Sequence, residues 1–77
     1  MNKARRKTLA EIQERLDELK GLIDGVLCEE QEAFDNLPES LQDCERGEAM
    51  QEAIDALESA VSSCEEVDEY LTEAQNH

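Results

Sequence analysis

A heptad register in the C-terminal part of the chain constrains the fold more than any other feature of this sequence. Apolar and small side chains recur there at alternating steps of three and four residues: Met50, Ala53, Leu57, Ala60, Cys64, Val67, Leu71 and Ala74. This spacing places them on one narrow seam of an α-helix. We therefore predict a long helix over residues 47–75. Ile54 and Val61 lie one position further round and broaden its apolar face.

A second periodic segment lies near the N-terminus. Thr8 opens a T-x-x-E capping box, which predicts a helix over residues 8–34 that follows a basic, flexible arm over residues 1–7. The predicted seam of this helix is Leu9, Ile12, Leu16, Leu19, Ile23 and Val26. Leu22 and Leu27 widen the seam on both flanks, and that width indicates that more than two helices pack together.

The chain reverses between the two predicted helices, in a connector over residues 35–46. Asn36, Pro38 and Glu39 are typical of a helix start, with asparagine as the cap and proline in the first turn. We therefore favour a short, distinct helix at the tip. The alternative, in which this helix continues without a break through Gly47, stays open at this point.

The order of charges favours an antiparallel arrangement of the two long helices. Bases cluster before the first helix and carboxylates crowd the end of the second, and each cluster is unfavourable for the dipole of its own helix. Folding the chain back brings the two clusters together. In that register Leu16 lies level with Cys64, and Ile12 lies level with Val67.

The short chain and its broad apolar faces predict a homodimer. A single core in a chain of 77 residues rarely supplies more than about 3–5 kcal/mol. A hairpin of two helices also leaves one apolar face uncovered, and two hairpins pairing as a four-helix bundle would cover it. The residues predicted to form the core and the dimer seam are Leu16, Leu19, Leu22, Ile23, Leu27, Ile54, Leu57, Val61 and Cys64.

The net charge of -14 bounds the class of partner. An acidic body repels phosphate and anionic lipid, so we expect neither direct binding of nucleic acid nor a membrane interaction, and it attracts basic protein surfaces. Disorder is the alternative explanation of such a composition, but a sustained helical periodicity argues against it. The three cysteines, with no signal peptide and no metal-ligand spacing, favour a reducing location, which is the cytoplasm.

The sequence contains no motif of an enzyme. The only histidine is at the C-terminus, and no glycine-rich phosphate loop or calcium-binding loop occurs. Cys28, Cys44 and Cys64 lack a nearby base that would make any of them a nucleophile. We therefore expect no catalytic activity, no metal site and no cofactor.

Clustered carboxylates are the remaining candidates for function. They lie in two groups, Glu29, Glu30, Glu32 and Asp35 near the tip, and Glu65, Glu66, Asp68 and Glu69 on the second long helix. The net charge exceeds the magnitude of about 2–8 that keeps a small domain soluble, which favours a binding surface for a basic protein, in the limit a mimic of nucleic acid. In the alternative interpretation the charge only confers solubility and the bundle pairs with another helical protein. DNA binding by the basic arm is a weaker third possibility.

The run EEQEAFDNLPESLQDCERGEAMQEAIDALESA, over residues 29–60, resembles a group of short, acidic, uncharacterised helical proteins of bacteriophages and other bacterial mobile elements. The segment RRKTLAEIQERL resembles them more loosely. The resemblance implies a bacterial host cell as the setting and an inhibitor of a host nuclease, polymerase or defence protein as the class of activity. It implies no functional residue.

Overall fold

The computed structural model describes all residues 1–77 and contains α-helices as its only regular structure. Helix α1 covers Lys3–Asp35, α2 covers Glu39–Gln42 and α3 covers Glu45–Gln75. The two long helices pack against each other in opposite directions and form a rod of 58 × 16 × 12 Å, with α2 at one end. The predicted all-α helical hairpin with a short helix at its tip is confirmed.

Helix α1 begins earlier than the capping box predicts. Asn2 is its N-cap, and the Asn2 side-chain oxygen accepts a hydrogen bond from the Arg5 backbone N–H at 2.8 Å. Thr8 lies inside the helix, where its hydroxyl donates to the Ala4 carbonyl at 3.1 Å. The segment over residues 1–7 is therefore mostly helical and not a flexible arm.

The connector also differs in one detail from the prediction. Asn36 closes α1 as its C-cap, with its backbone N–H bonded to the carbonyls of Glu32 and Phe34, and does not cap the helix that follows. Pro38 occupies the N-cap position of α2. Helices α2 and α3 are separate, because Cys44 is in an extended conformation and starts α3 before Gly47 is reached.

The contact between α1 and α3 uses a different set of positions from the predicted seams. On α1 all half-buried residues except Gln31 form an inner stripe of Leu9, Gln13, Leu16, Lys20, Ile23, Leu27, Glu30 and Phe34. The inner stripe of α3 consists of Met50, Ile54, Leu57, Val61, Cys64, Asp68, Leu71 and Gln75, of which only Asp68 is exposed. Gln13, Lys20 and Leu27 thus take the inner positions that were predicted for Ile12, Leu19 and Val26. Ile54, predicted as a flank, is the most buried side chain of all, at 1% exposure.

Half of each predicted seam therefore lies beside the contact, on what we name the side stripes, where most residues are exposed and only Ala60 and Ala74 are half-buried. The side stripe of α1 is Thr8, Ile12, Arg15, Leu19, Leu22 and Val26, and that of α3 is Ala49, Ala53, Ala56, Ala60, Ser63, Val67, Tyr70 and Ala74. Each position precedes an inner-stripe residue by one, a rotation of about 100°. Because the helices are antiparallel, this rotation carries both side stripes to the same side of the hairpin. Leu22, predicted in the core seam, is 69% exposed there.

The hairpin buries little by itself. Only Ile54 and Gly47 are fully buried. The surface area is 5848 Å², whereas a compact protein of 8.7 kDa exposes about 4,700 Å². The radius of gyration is 17.4 Å, against about 11.5 Å for a globular chain of this length. Neither long helix has an apolar stretch of the length that a membrane crossing requires.

Candidate partner-binding groove

The side of the hairpin opposite the side stripes is acidic. Positions that follow an inner-stripe residue by one include the carboxylates Glu14, Asp17, Asp24, Asp35, Asp55, Glu58, Glu65 and Glu69, which we name the acidic side. No base occupies any of these positions. The heptad pattern thus separates an apolar side from an acidic side, with the inner stripes between them.

A groove of about 280 Å³ lies between α1 and α3 on the acidic side. It is lined by Leu16, Asp17, Lys20, Cys64, Glu65, Asp68 and Glu69. Leu16 and Cys64 both line this groove, as their predicted proximity requires. The Lys20–Glu65 ion pair and the Gln13–Thr72 hydrogen bond, however, place each α1 residue level with an α3 residue about one turn further along than predicted, so the pairings of Leu16 with Cys64 and of Ile12 with Val67 are offset. Four carboxylates around one ammonium group give the groove a net negative charge.

Lys20 holds the only ion pair of the structure, with its Nζ 3.2 Å from Glu65 Oε1. The hydrogen bond to Glu65, with the charge of that carboxylate, raises the pKa of Lys20 above its ordinary value of 10.5. Because folding raises this pKa, the contribution of the pair to stability is complete below pH 10.5 and is lost only as the pH rises through the raised value. At neutral pH, Asp17 and Glu69 remain without an ion pair and face the groove.

Gln13 bridges the two helices beside the groove. Its Nε2 donates to Asp68 Oδ1 at 3.1 Å and to Thr72 Oγ1 at 2.9 Å, and its Oε1 accepts from Gln75 Nε2. Together with the Lys20 pair, these bonds fix the register of α1 against α3. The polar bridge explains how a glutamine occupies an inner position while Ile12 lies outside.

Replacing Gln13 with alanine is expected to lower the free energy of unfolding by about 1 kcal/mol, because several hydrogen bonds between the helices are lost at once. Thermal unfolding followed by circular dichroism measures the change. Gln51→Ala is the matched control, since Gln51 Nε2 bonds only to Asp55, one turn further along the same helix. An equal loss in the two variants would contradict a bridging role for Gln13.

The structure brings only part of the predicted acidic residues together. Glu65, Asp68 and Glu69 line the groove, whereas Glu66 is exposed outside it. Asp17 and Lys20 belong to the same groove although they were not predicted. Asp17 and Lys20 could have been predicted only by asking which α1 residues lie opposite the second carboxylate group in the folded hairpin. That requires the register of α1 against α3, which the sequence does not give.

The predicted group near the tip is dispersed around α1. Glu30 is half-buried on the inner stripe, Glu29 is exposed just past the end of the side stripe, and Asp35 accepts a hydrogen bond from Gln31 at 3.1 Å. Glu32 lines a second depression, which is formed with Leu27, Cys28, Gln31 and Glu58. This depression lies about 18 Å from the groove, judged from the helical rise between Lys20 and Glu32.

Neither the groove nor the second depression contains a metal site or a disulfide. The three cysteines are free thiols, and no group of His, Cys, Asp and Glu side chains has the arrangement of a metal site. Arg5, Arg6 and Lys7 lie at the same end as the acidic C-terminal turns but form no ion pair with them. Comparison of the chain with protein families, curated proteins and solved structures gives no match.

Proposed function

We propose that the protein is an acidic protein-binding module that works as a homodimer and binds a basic, nucleic-acid-binding protein through its acidic side. The observation that carries the proposal is the segregation of charge. Carboxylates occupy the acidic side without a single base, while the side stripes contain no carboxylate from Thr8 to Val26 or from Ala49 to Ala74. Arg15 is the only charged residue of the side stripes within these ranges, and Glu29 follows just beyond them. Charge that served only solubility would have no reason to avoid one side of a rod over this length.

The density of charge supports nucleic acid as the ligand that this surface imitates. A net charge of -14 over a rod 58 Å long corresponds to one negative charge per about 4 Å of axis. Two hairpins side by side double the density to one charge per about 2 Å. Duplex DNA carries one per about 1.7 Å. The dimer therefore approaches the charge density that a nucleic-acid-binding groove accepts.

The class of target follows from this electrostatic resemblance and from the likeness of residues 29–60 to small acidic proteins of bacteriophages. We propose a host or defence protein of a bacterium, inhibited in the cytoplasm by occupation of its nucleic-acid-binding surface. The free thiols Cys28, Cys44 and Cys64 are compatible with that reducing compartment.

A structural or assembly role is the second candidate. The exposed apolar side stripes favour it, because Ile12, Leu19 and Val67 are exposed on one side of the hairpin, on which another helical protein could pack. In that case the acidic side would confer solubility only.

Salt dependence separates the two candidates. The immobilised protein is exposed to a bacterial lysate at about 0.05 M and at 0.5 M salt, where screening acts over about 4 Å. Mimicry predicts capture of basic, nucleic-acid-binding proteins at low salt, their loss at 0.5 M, and their elution by added duplex DNA. Helix pairing predicts capture that persists at 0.5 M salt and is not reversed by added duplex DNA. Recovery of no nucleic-acid-binding protein at low salt would overturn the proposal.

Matched charge variants locate the binding surface. Asp17→Asn, Glu58→Gln and Glu69→Gln together neutralise part of the acidic side and are expected to reduce capture at least tenfold, because close charges dominate a salt-sensitive contact. The control combines Glu11→Gln, Glu18→Gln and Glu52→Gln, which removes the same charge from outside the acidic side. Equal losses in both variants would show that only total charge matters.

A further inference from the structure

We infer that the side stripes are the contact between two copies of this chain, arranged with both connectors at the same end so that α1 of each copy packs on α3 of the other. This inference rests on the homodimer proposed above and specifies its geometry. Three independent properties of the exposed side support it: the area it leaves uncovered, the sizes of its side chains, and its charge.

The area matches what a dimer interface needs. The hairpin exposes about 1,100 Å² more than a compact protein of its mass. A stable interface covers about 800 Å² per partner. The exposed large side chains are concentrated in the side stripes, where Ile12 is 44% exposed, Leu19 54%, Val26 51% and Val67 45%. A second copy is large enough to cover these residues.

The side chains of the two side stripes differ in size, and this difference favours the arrangement with both connectors at the same end. Large residues dominate on α1, whereas four alanines and a serine occupy consecutive positions of the α3 stripe from Ala49 to Ser63 and its large residues, Val67 and Tyr70, lie beyond them. The Lys20–Glu65 pair and the Gln13–Thr72 bond define which turns of α1 and α3 are level. A two-fold axis parallel to the helices preserves those levels between copies.

In this arrangement large side chains of one copy meet small ones of the other. Leu22 lies level with Ser63 of the second copy, between its Ala60 and Val67, and Val26 lies level with the turn between its Ala56 and Ala60. Large residues entering gaps above small ones allow helices to approach closely. The opposite arrangement, with connectors at opposite ends, would stack α1 on α1 and α3 on α3. Leucine would then meet leucine, and the alanines would face a gap.

The distribution of charge also favours contact through the side stripes. The second copy also carries a charge of -14, so any contact that brings the acidic sides together is repulsive. Contact through the side stripes turns both acidic sides outward. Arg15, the only charged residue of the α1 side stripe, then lies level with Tyr70 of the second copy and within a turn of its Glu66. A guanidinium at an aromatic face or a carboxylate is favourable in both cases.

A distance between the two connectors tests the arrangement without altering the side stripes. Ser40 is exposed on α2 and accepts a spin label as Ser40→Cys, in a chain that also carries Cys28→Ser, Cys44→Ser and Cys64→Ala. Helices in a bundle lie about 8–10 Å apart, so connectors at the same end predict a separation between labels within about 30 Å. Connectors at opposite ends predict a separation near the 58 Å length of the rod. The longer distance, or no measurable coupling between copies, would overturn the inference.

Sedimentation of unlabelled variants tests the interface itself. Leu22→Glu is expected to raise the dissociation constant of the dimer at least tenfold, because it buries a carboxylate in an apolar contact. Leu41→Glu is the control, since Leu41 is also an exposed leucine, at 42% against 69% for Leu22, but lies on the connector. A native chain that sediments as a folded monomer would overturn the inference, and so would salt-resistant capture of a different helical protein in place of a second copy. A folded monomer would also remove the homodimer from the proposed function, whereas the salt-sensitive capture tests the binding of a basic protein separately.

Discussion

Replacing Ile54 with alanine is expected to destabilise the hairpin by about 2–5 kcal/mol, the range for truncating a buried aliphatic side chain. Ile54 is the one large side chain that is fully removed from solvent. By the register of the Lys20–Glu65 pair it lies opposite the last turns of α1, near the end where α2 adds a third helix. The expected loss is comparable to the whole stability of a core this small, about 3–5 kcal/mol. The variant should therefore lose most of its helical circular dichroism at 25 °C.

A graded variant and a matched control make this expectation quantitative. Ile54→Val removes one methyl group and should cost about 0.5–1.5 kcal/mol, within the range in which chemical denaturation reports a midpoint. Leu41→Ala removes as many carbon atoms as Ile54→Ala. Because Leu41 is 42% exposed, its truncation should nevertheless cost less. All chains are compared at one concentration, because association shifts the apparent stability. A cost for Leu41→Ala that equals or exceeds that of Ile54→Ala would contradict the assignment of the core.

Replacing Gly47 with alanine is the second large effect expected. Gly47 is buried in the first turn of α3, and a Cβ atom there would overlap the carbonyl group of Gln42 and approach the carbonyl oxygen of Leu41 to 2.7 Å. These atoms belong to the backbone of the connector, so no side-chain rotation relieves the overlap. The connector must move away from α3, and we expect a loss of at least about 1 kcal/mol.

Two other glycines provide the control for this substitution. Gly21 and Gly25 lie in the interior of α1, and an added Cβ atom at either would meet no atom within 4 Å. Alanine has the higher helix propensity, so Gly21→Ala and Gly25→Ala should each raise the free energy of unfolding by up to about 1 kcal/mol. Thermal unfolding of the three variants should therefore show opposite signs. A stabilised Gly47→Ala variant would mean that α2 does not pack closely on α3.

The two long helices and their antiparallel orientation could be predicted from the sequence. Which residues of each helix face the other helix could not. Heptad spacing identifies two long helices, and the charge order indicates that they are antiparallel. Leu9, Ile12, Leu16 and Leu19 are equivalent by hydropathy, however, so spacing alone cannot tell the inner stripe from the side stripe. The polar bridge of Gln13 decides between them, and a hydrogen bond between distant turns leaves no periodic signal.

The helix ends and the groove show the same limit. Thr8 matches a capping box, yet the strong helix propensity of the residues before it extends α1 back to Asn2. Asn36 lies two residues before Pro38, as in a helix start, but its backbone closes α1 instead. The carboxylates of α3 that line the groove can be predicted from the sequence, because they are clustered within a few residues of each other. Asp17 and Lys20 reach the same groove only through the register of the folded hairpin.

The meeting of the chain's two ends has a mechanical consequence. The amino group of Met1 donates to the carbonyl oxygen of His77, so both ends emerge at the same end of the rod, away from the connector. A load applied between them pulls the helices apart from that end and breaks their contacts one turn at a time. Gly47 and Ile54 lie nearer the connector and separate late. We therefore expect the hairpin to open from its free end under tension and to resist most near the connector, where its two buried residues lie.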